Sequence, residues 1–249
     1  MAVLQARMSS TRLPGKVMRP LSGEPMLGRQ IERIRRAQLV DSLVVATSTD
    51  PADDVVADYV EGLGLPVVRG PLDDVLARFI LVIDELEPDV VVRLTADCPL
   101  TSPRVIDAVI EQFLSADADY CSNTLQPTYP DGLDVEVVRP SALRAVAAVS
   151  TDVAEHEHVT LGVYRRPEQF VLSSVTSERD LSQLRWTVDT PEDFAFVEQV
   201  YGALVEQDPQ FDVDEILHLL EERPALVRTS ADEVRNAALI GLDTGAMHA

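Results

Sequence analysis

The chain has 249 residues, 46% of them apolar and 25% charged, a composition that suits a soluble globular protein with room for one large domain or two small ones. Its formal net charge of −21 and isoelectric point near 4.4 count against general binding to nucleic acid or to anionic membranes, because phosphate-rich surfaces would be repelled. No apolar run approaches the roughly 18 residues of a membrane span, the segment Met1–Arg7 lacks a basic stretch followed by an apolar core, and Cys98 and Cys121 lack CxxC spacing and companion zinc ligands. The expectation is a cytoplasmic protein without nucleic-acid or membrane partners.

Short apolar runs alternate with amphipathic segments along the first two-thirds of the chain. Ala2–Leu4 reads as a strand, and Pro25–Ala37 as a helix with Met26, Leu27, Ile31 and Ile34 at helical spacing. Strands are predicted over Leu43–Thr47, Leu65–Arg69 and Val90–Thr95. Helices are predicted over Pro51–Gly62, over Asp73–Leu86 with its acidic start, and over Pro103–Leu114 with Pro in the first turn. This rhythm, with near-continuous Val, Ile and Leu in the strands, predicts an α/β fold: a Rossmann-like, mostly parallel sheet flanked by helices. After about Ala118 the rhythm loosens. Strands are expected over Asp119–Asn123, Asp134–Val138, Phe170–Val175 and Arg185–Val188. Helices are expected over Ser141–Val149, Pro191–Glu206 and Asp214–Glu222, with a small polar tail from about Gly241. No Gly/Ser/Pro linker divides the chain, so the expectation is a single domain over 1–249. Within it, about 1–118 forms a nucleotide-binding half, about 119–200 an inserted acceptor-binding portion, and about 201–249 the C-terminal helices and tail.

The densest chemistry lies in Gln5-Ala6-Arg7-Met8-Ser9-Ser10-Thr11-Arg12-Leu13-Pro14-Gly15-Lys16. Lys16 is the only lysine in the chain, and every other basic residue apart from histidine is arginine. A lysine kept against that bias points to a need for a compact ammonium on a flexible stem. Arg7, Arg12 and Lys16, with the hydroxyls of Ser9 and Ser10, make an island of donors suited to a polyphosphate. It follows the first strand and precedes a helix, where phosphates bind at the carboxyl edge of a parallel sheet. The loop is not a Walker A motif, because Val17 follows Gly15-Lys16, and it is not Gly-x-Gly-x-x-Gly.

The same string resembles the signature of cytidylyltransferases of the spore-coat polysaccharide biosynthesis type, relatives of the synthetases that make CMP-activated Kdo and sialic acids. The resemblance runs over roughly residues 2–200. It continues through Val44–Ser48, Arg69-Gly70 with Asp73–Arg78, Arg93-Leu94-Thr95-Ala96-Asp97-Cys98-Pro99-Leu100, and Asp119-Tyr120 with Asn123. Further on it includes Tyr129–Glu136, Glu157–Thr160 and Arg185–Asp193. One departure lies at Val153-Ala154-Glu155, where relatives tend to carry a basic residue, and it bears on the acceptor rather than on the nucleotide.

The resemblance implies Mg²⁺-dependent transfer of CMP from CTP to a sugar acid or related small acceptor, with release of pyrophosphate, in a homodimer. It implies Arg7, Ser9, Ser10, Arg12 and Lys16 on the triphosphate, with Lys16, Arg7 and Asp97 catalytic. Asp97 and Asp189 follow strands and are implied as metal ligands, since Mg²⁺ takes one or two carboxylates plus phosphate oxygens. Asp189 also begins Asp-Thr-Pro-Glu-Asp, a good helix start, and the two roles are compatible. Ala6, Ala46, Thr47, Arg69, Asp74 and Arg78 are candidates for base and ribose, with a helix-surface role the plain alternative for Arg78. Asp134, Glu136, His158 and Arg185 are candidates for the acceptor, Arg185 for its carboxylate. Cys98 and Trp186 read as core. A glycosyltransferase using a nucleotide sugar, or a transferase of another nucleotide, are the alternatives. The first would want an Asp-x-Asp metal motif, and Asp117-Ala118-Asp119 falls at a helix end.

Overall fold

The structure is a computed structural model and describes residues 1–229. The first half contains β1 (Ala2–Gln5), the two-residue strands β2 (Pro20–Leu21) and β3 (Glu24–Pro25), α1 (Met26–Ile34), β4 (Leu43–Ser48), α2 (Asp54–Gly62), β5 (Val67–Gly70), α3 (Val75–Leu86), β6 (Val91–Thr95) and α4 (Pro103–Ser115). The second half contains β7 (Tyr120–Ser122), β8 (Glu136–Val138), α5 (Pro140–Val149), α6 (Val153–Glu157), α7 (Leu161–Tyr164), β9 (Leu172–Ser174), α8 (Pro191–Leu204) and α9 (Val213–Glu222).

One seven-stranded sheet joins both halves in the order β5-β4-β1-β6-β8-β7-β9, and β8 runs antiparallel to both of its neighbours. The other pairings are parallel. The fold is therefore the mostly parallel, Rossmann-like sheet expected. β1 and β4 carry apolar residues at successive positions because helices cover both faces. Leu4, Val45 and Leu94 pack with α1, α4, α8 and α9, whereas Val3, Val44 and Ala46 pack with α3 and α5. Opposite sides of each strand thus feed opposite cores. The carboxyl ends of β1, β4 and β6 meet at one edge, where Gln5 pairs in register with Ala46 and with Thr95.

The strand expected over Arg185–Val188 does not form. Arg185 makes only an isolated bridge to Asp131, and Leu184 one to Thr229. The backbone of this segment bonds loops instead: Trp186 N–H donates to Asp131 O at 2.6 Å and Val188 N–H to Asp97 O at 2.8 Å. Gly132 makes this contact possible at φ +107°, because a Cβ there would lie 2.4 Å from Thr187 N. The short helices α6 and α7 and the β2–β3 hairpin have too few residues for a periodic signal and were not expected. The tail from about Gly241 lies outside the described residues.

Candidate active site

The site begins where β1 ends. Ala6 is buried, and its N–H still bonds Ala46 O at 3.1 Å. The chain then leaves the sheet. Met8 N–H donates to Asp53 Oδ1 at 2.6 Å, and Met8 O accepts from Ser10 N–H at 3.0 Å and Gly15 N–H at 2.9 Å, closing the loop. Gly15, at φ +70°, turns the chain into a 3-10 turn over Lys16–Met18. Lys16 is thereby sent back beneath the loop. Its ammonium donates to Val188 O at 2.6 Å and to Asp189 Oδ1 at 3.0 Å, and stands 3.6 Å from Asp97 Oδ2. Burial works against its charge, but Asp97 and Asp189 outweigh burial and raise its pKa. Burial likewise works against ionisation of Asp97. The charge of Lys16, with hydrogen bonds at Thr95 and Cys98, holds that carboxyl below its ordinary range. Asp97, beyond the end of β6, and Asp189, just before α8, therefore converge on one cation.

Arg12 reaches the same place from solvent, with Nη2 3.0 Å from Asp189 Oδ2. Arg7 lines the cleft beside another cation, Arg78. Arg78 is buried, its Nε has no partner, and its Nη2 reaches only Leu72 O at 3.5 Å. Burial first, then the charge of Arg7, pulls its pKa down to about 10. Ser9 is exposed, and Ser10 Oγ accepts from Leu13 N–H at 3.4 Å within the loop; neither lines the cleft.

Ala46 and Thr47 lie fully buried within β4. Arg69 bonds Ser48 O at 2.8 Å and Asp50 O at 3.1 Å and pairs with Asp54 at 2.7 Å. Asp74 caps α3 by accepting from Ala77 N–H at 2.8 Å and faces His156 Nδ1 at 2.8 Å. None of the six candidates for the base and ribose, Ala6 and Arg78 included, borders the cleft.

The cleft, of about 330 Å³, runs from Arg7 and Arg12 past Asp97 and Asp189 to a second wall built on β6, β8 and the α6–α7 segment. Arg93 on β6 is the hub of that wall. It donates from Nε to Gln5 Oε1 at 3.0 Å and from Nη1 to Glu136 Oε2. Glu136 also accepts from Tyr120 Oη at 2.7 Å and from Thr160 Oγ1. Burial lowers the pKa of His158, with Glu157 opposing the shift, so the imidazole is neutral near pH 7. Asp134 also borders the cleft. Sequence reasoning missed Arg93, Tyr164 and Thr160. A charged residue inside the apolar run Val90–Thr95 was the available signal for Arg93, and Thr160 lay within the family-like block Glu157–Thr160; Tyr164 gave no signal.

Arg185 is not free to receive an acceptor carboxylate. It is 2% exposed and already surrounded: Nη1 bonds Asp131 at 3.0 Å, Nη2 bonds Asp189 at 2.9 Å, and Nε and Nη2 bond Asp193 at 3.2 and 3.1 Å. Asp193 in turn accepts the N–H groups of Asp189 and Thr190 at 3.0 Å each and completes a capping box with Thr190. The cluster fixes Asp189 through its backbone and through its carboxylate. Cys98 and Trp186 are buried as expected. Asp117 and Asp119 lie before β7, at the opposite end of the parallel strands from the cleft, and both pair with Arg139. Among the described residues no group of three or more His, Cys, Asp or Glu could hold a metal, and no helix is long and apolar enough to cross a membrane.

A donor-rich loop after the first strand of a mostly parallel sheet, with two aspartates beneath it, marks a nucleotidyltransferase. Comparison with known proteins says which kind. The family model described as Cytidylyltransferase matches residues 1–231, and the chain belongs to that family. It is 33% identical over 229 residues to the spore coat polysaccharide biosynthesis protein SpsF of Bacillus subtilis, covering 89% of this chain and 94% of that one. It is 29% identical over 188 residues to 3-deoxy-manno-octulosonate cytidylyltransferase 2 of Hydrogenovibrio crunogenus, covering 68% and 74%. The solved structure of a cytidylyltransferase from Leptospira borgpetersenii superposes with a TM-score of 0.86 at 28% identity, covering 91% of this chain and 95% of that one.

Proposed function

We propose that this protein transfers CMP from CTP to a hydroxyl of a small acceptor and releases pyrophosphate. The observation that carries this reading is that Arg7, Arg12, Asp97 and Asp189 line one end of the cleft, with the buried Lys16 ammonium directly behind the two aspartates. Arg7 and Arg78 support it further: two like charges lie side by side, the charge of Arg78 only partly offset by Asp53 and Asp74, and they favour an anion that neutralises both. The triphosphate is that anion. Arg78, expected near the base, then backs the phosphate end instead.

In the reaction the acceptor oxygen bonds to the α-phosphorus, the bond from that phosphorus to the bridging oxygen breaks, and pyrophosphate leaves with its electron pair. The hydroxyl proton passes to water. Arg7, Arg12 and Lys16 hold the phosphates and offset charge as it moves onto the leaving group. Asp97 and Asp189 fit Mg²⁺: both are hard oxygen donors and both face one cation, and that ion binds through one or two carboxylates plus phosphate oxygens. When bound, it would polarise the α-phosphate. Arg185 and Asp193 orient Asp189.

Calorimetry and pyrophosphate release with each of four nucleoside triphosphates, with and without Mg²⁺, test the reading. Metal-dependent binding of CTP alone, weakened in Asp97→Asn, is the expected result. Equal binding of all four, or of none, would sink it.

A further inference from the structure

We propose that the acceptor is a neutral polyhydroxylated molecule, a sugar or alditol without carboxylate or phosphate, recognised through the His158 imidazole and the Tyr164 hydroxyl. The inference rests on the cytidylyltransferase reading of the cleft and concerns its far wall.

The first observation is where the cations have gone. Two arginines reach that wall, Arg93 and Arg185. The charge of Arg93 is neutralised by Glu136, and that carboxylate is itself held in place by Tyr120 and Thr160. Arg185 is enclosed by Asp131, Asp189 and Asp193. Neither arginine has uncompensated charge for an incoming anion. Arg165, behind the wall, pairs with Asp152 at 3.1 Å.

The second observation is the sign of what remains. Glu157 lines the cleft, is exposed, and makes no ion pair among the described residues. At this wall an acceptor carboxylate or phosphate would therefore meet Glu157 and a Glu136 whose charge already takes up that of Arg93. Like charges brought together in a half-closed cleft repel, which weakens the binding of an anion there. One relative is named for an octulosonate, an acid; the charges on this wall favour an uncharged acceptor for this chain.

The third observation is that the free groups are uncharged and can pair with hydroxyls. The His158 ring and the Tyr164 hydroxyl line the cleft without a hydrogen-bond partner among the described residues. Burial keeps the imidazole neutral and pushes the phenol up to about 12. A neutral imidazole donates from one nitrogen and accepts at the other, and a phenol does both through one oxygen. A hydroxyl also does both, so a chain of hydroxyls satisfies this wall, whereas a carboxylate can only accept.

The test uses the full chain saturated with CTP and Mg²⁺, binding being established first by calorimetry. Matched pairs of four- to seven-carbon alditols and their aldonates, with the alditol phosphates, are then followed by saturation-transfer NMR and by pyrophosphate release. The expected result is CTP-dependent binding of one or more alditols, at least about tenfold tighter than the matched aldonate or phosphate. Tyr164→Phe and His158→Gln should each raise the alditol KM about tenfold while the CTP Kd stays unchanged. Tighter binding of an aldonate or phosphate overturns the inference, and so does failure of every alditol on enzyme shown to hold CTP. Failure to bind CTP overturns the underlying reading, and the inference with it, at the calorimetric step.

Discussion

Lys16 Nζ stands 3.0 Å from Asp189 Oδ1 across 173 residues of chain, and the same ammonium lies 3.6 Å from Asp97. The single lysine therefore bridges the two carboxylates that suit a metal ion. In Lys16→Met the carboxylates would face each other without that cation, and Val188 O would lose its donor. We expect a loss of about 3–5 kcal/mol, read as a fall in Tm of roughly 2–4 °C per kcal/mol for a chain of this size. Mg²⁺ should restore part of it and should raise the Tm of the variant more than that of the wild type. A Tm deficit that Mg²⁺ leaves untouched would mean that the carboxylates do not bind the ion.

Arg7→Ala separates binding from folding. Arg7 has no carboxylate partner among the described residues and lies beside Arg78, whose pKa it helps to lower to about 10. Its removal should weaken CTP binding about ten- to a hundredfold, as expected for a lost charge-assisted contact to phosphate. The Tm should hold or rise, because a like-charge repulsion is relieved. A clear fall in Tm with unchanged CTP affinity would give Arg7 a structural role instead.

Gly132→Ala tests the contact that positions the loop carrying Asp189. At φ +107° the new Cβ would lie 2.4 Å from Thr187 N and 2.6 Å from Trp186 C, both backbone atoms that cannot step aside. Destabilisation of at least about 2 kcal/mol is expected, with CTP turnover falling as Asp131 and the Arg185–Asp189 segment shift. Thermal denaturation and pyrophosphate release measure the two effects.

Two histidines give opposite pH dependences. The pKa of His158 is lowered from 6.5, chiefly by burial, so the unfolded chain binds more protons than the folded one as pH falls below 6.5. Its contribution to stability therefore declines as pH drops from about 6.5 toward its folded value. The pKa of His156 is raised, first by Ser150 O and then by the hydrogen bond to Asp74, so its contribution is full below 6.5 and is lost as pH rises through its folded value. His158→Gln should thus lose less Tm than wild type between pH 7 and 5, and His156→Gln should lose more. Equal slopes in all three proteins would contradict both assignments.

The parallel half of the fold was legible because its helices and strands are long enough to show their period. Ile31 and Ile34 in α1 face one core, and the Val-rich runs of β4 and β6 are covered on both sides. The extended segment Arg185–Val188 misled because its apolar residues, Trp186 and Val188, are buried by loops rather than by a strand neighbour. α6 and α7, of five and four residues, are helical because they pack beneath α3 and α5, and no local pattern records that.

The sequence by itself determined the donor loop, the lone lysine, Asp97 after a strand, Asp189 at a helix start and the family, because these are matters of residue type and order. Which cations remain available was decided only by tertiary structure. Arg185 reads as a free guanidinium until Asp131, Asp189 and Asp193 are seen around it. Arg93 and Glu136 cancel each other from strands 43 residues apart. Electrostatic pairing depends on distance in space, and the fold brings together charges that the chain keeps far apart.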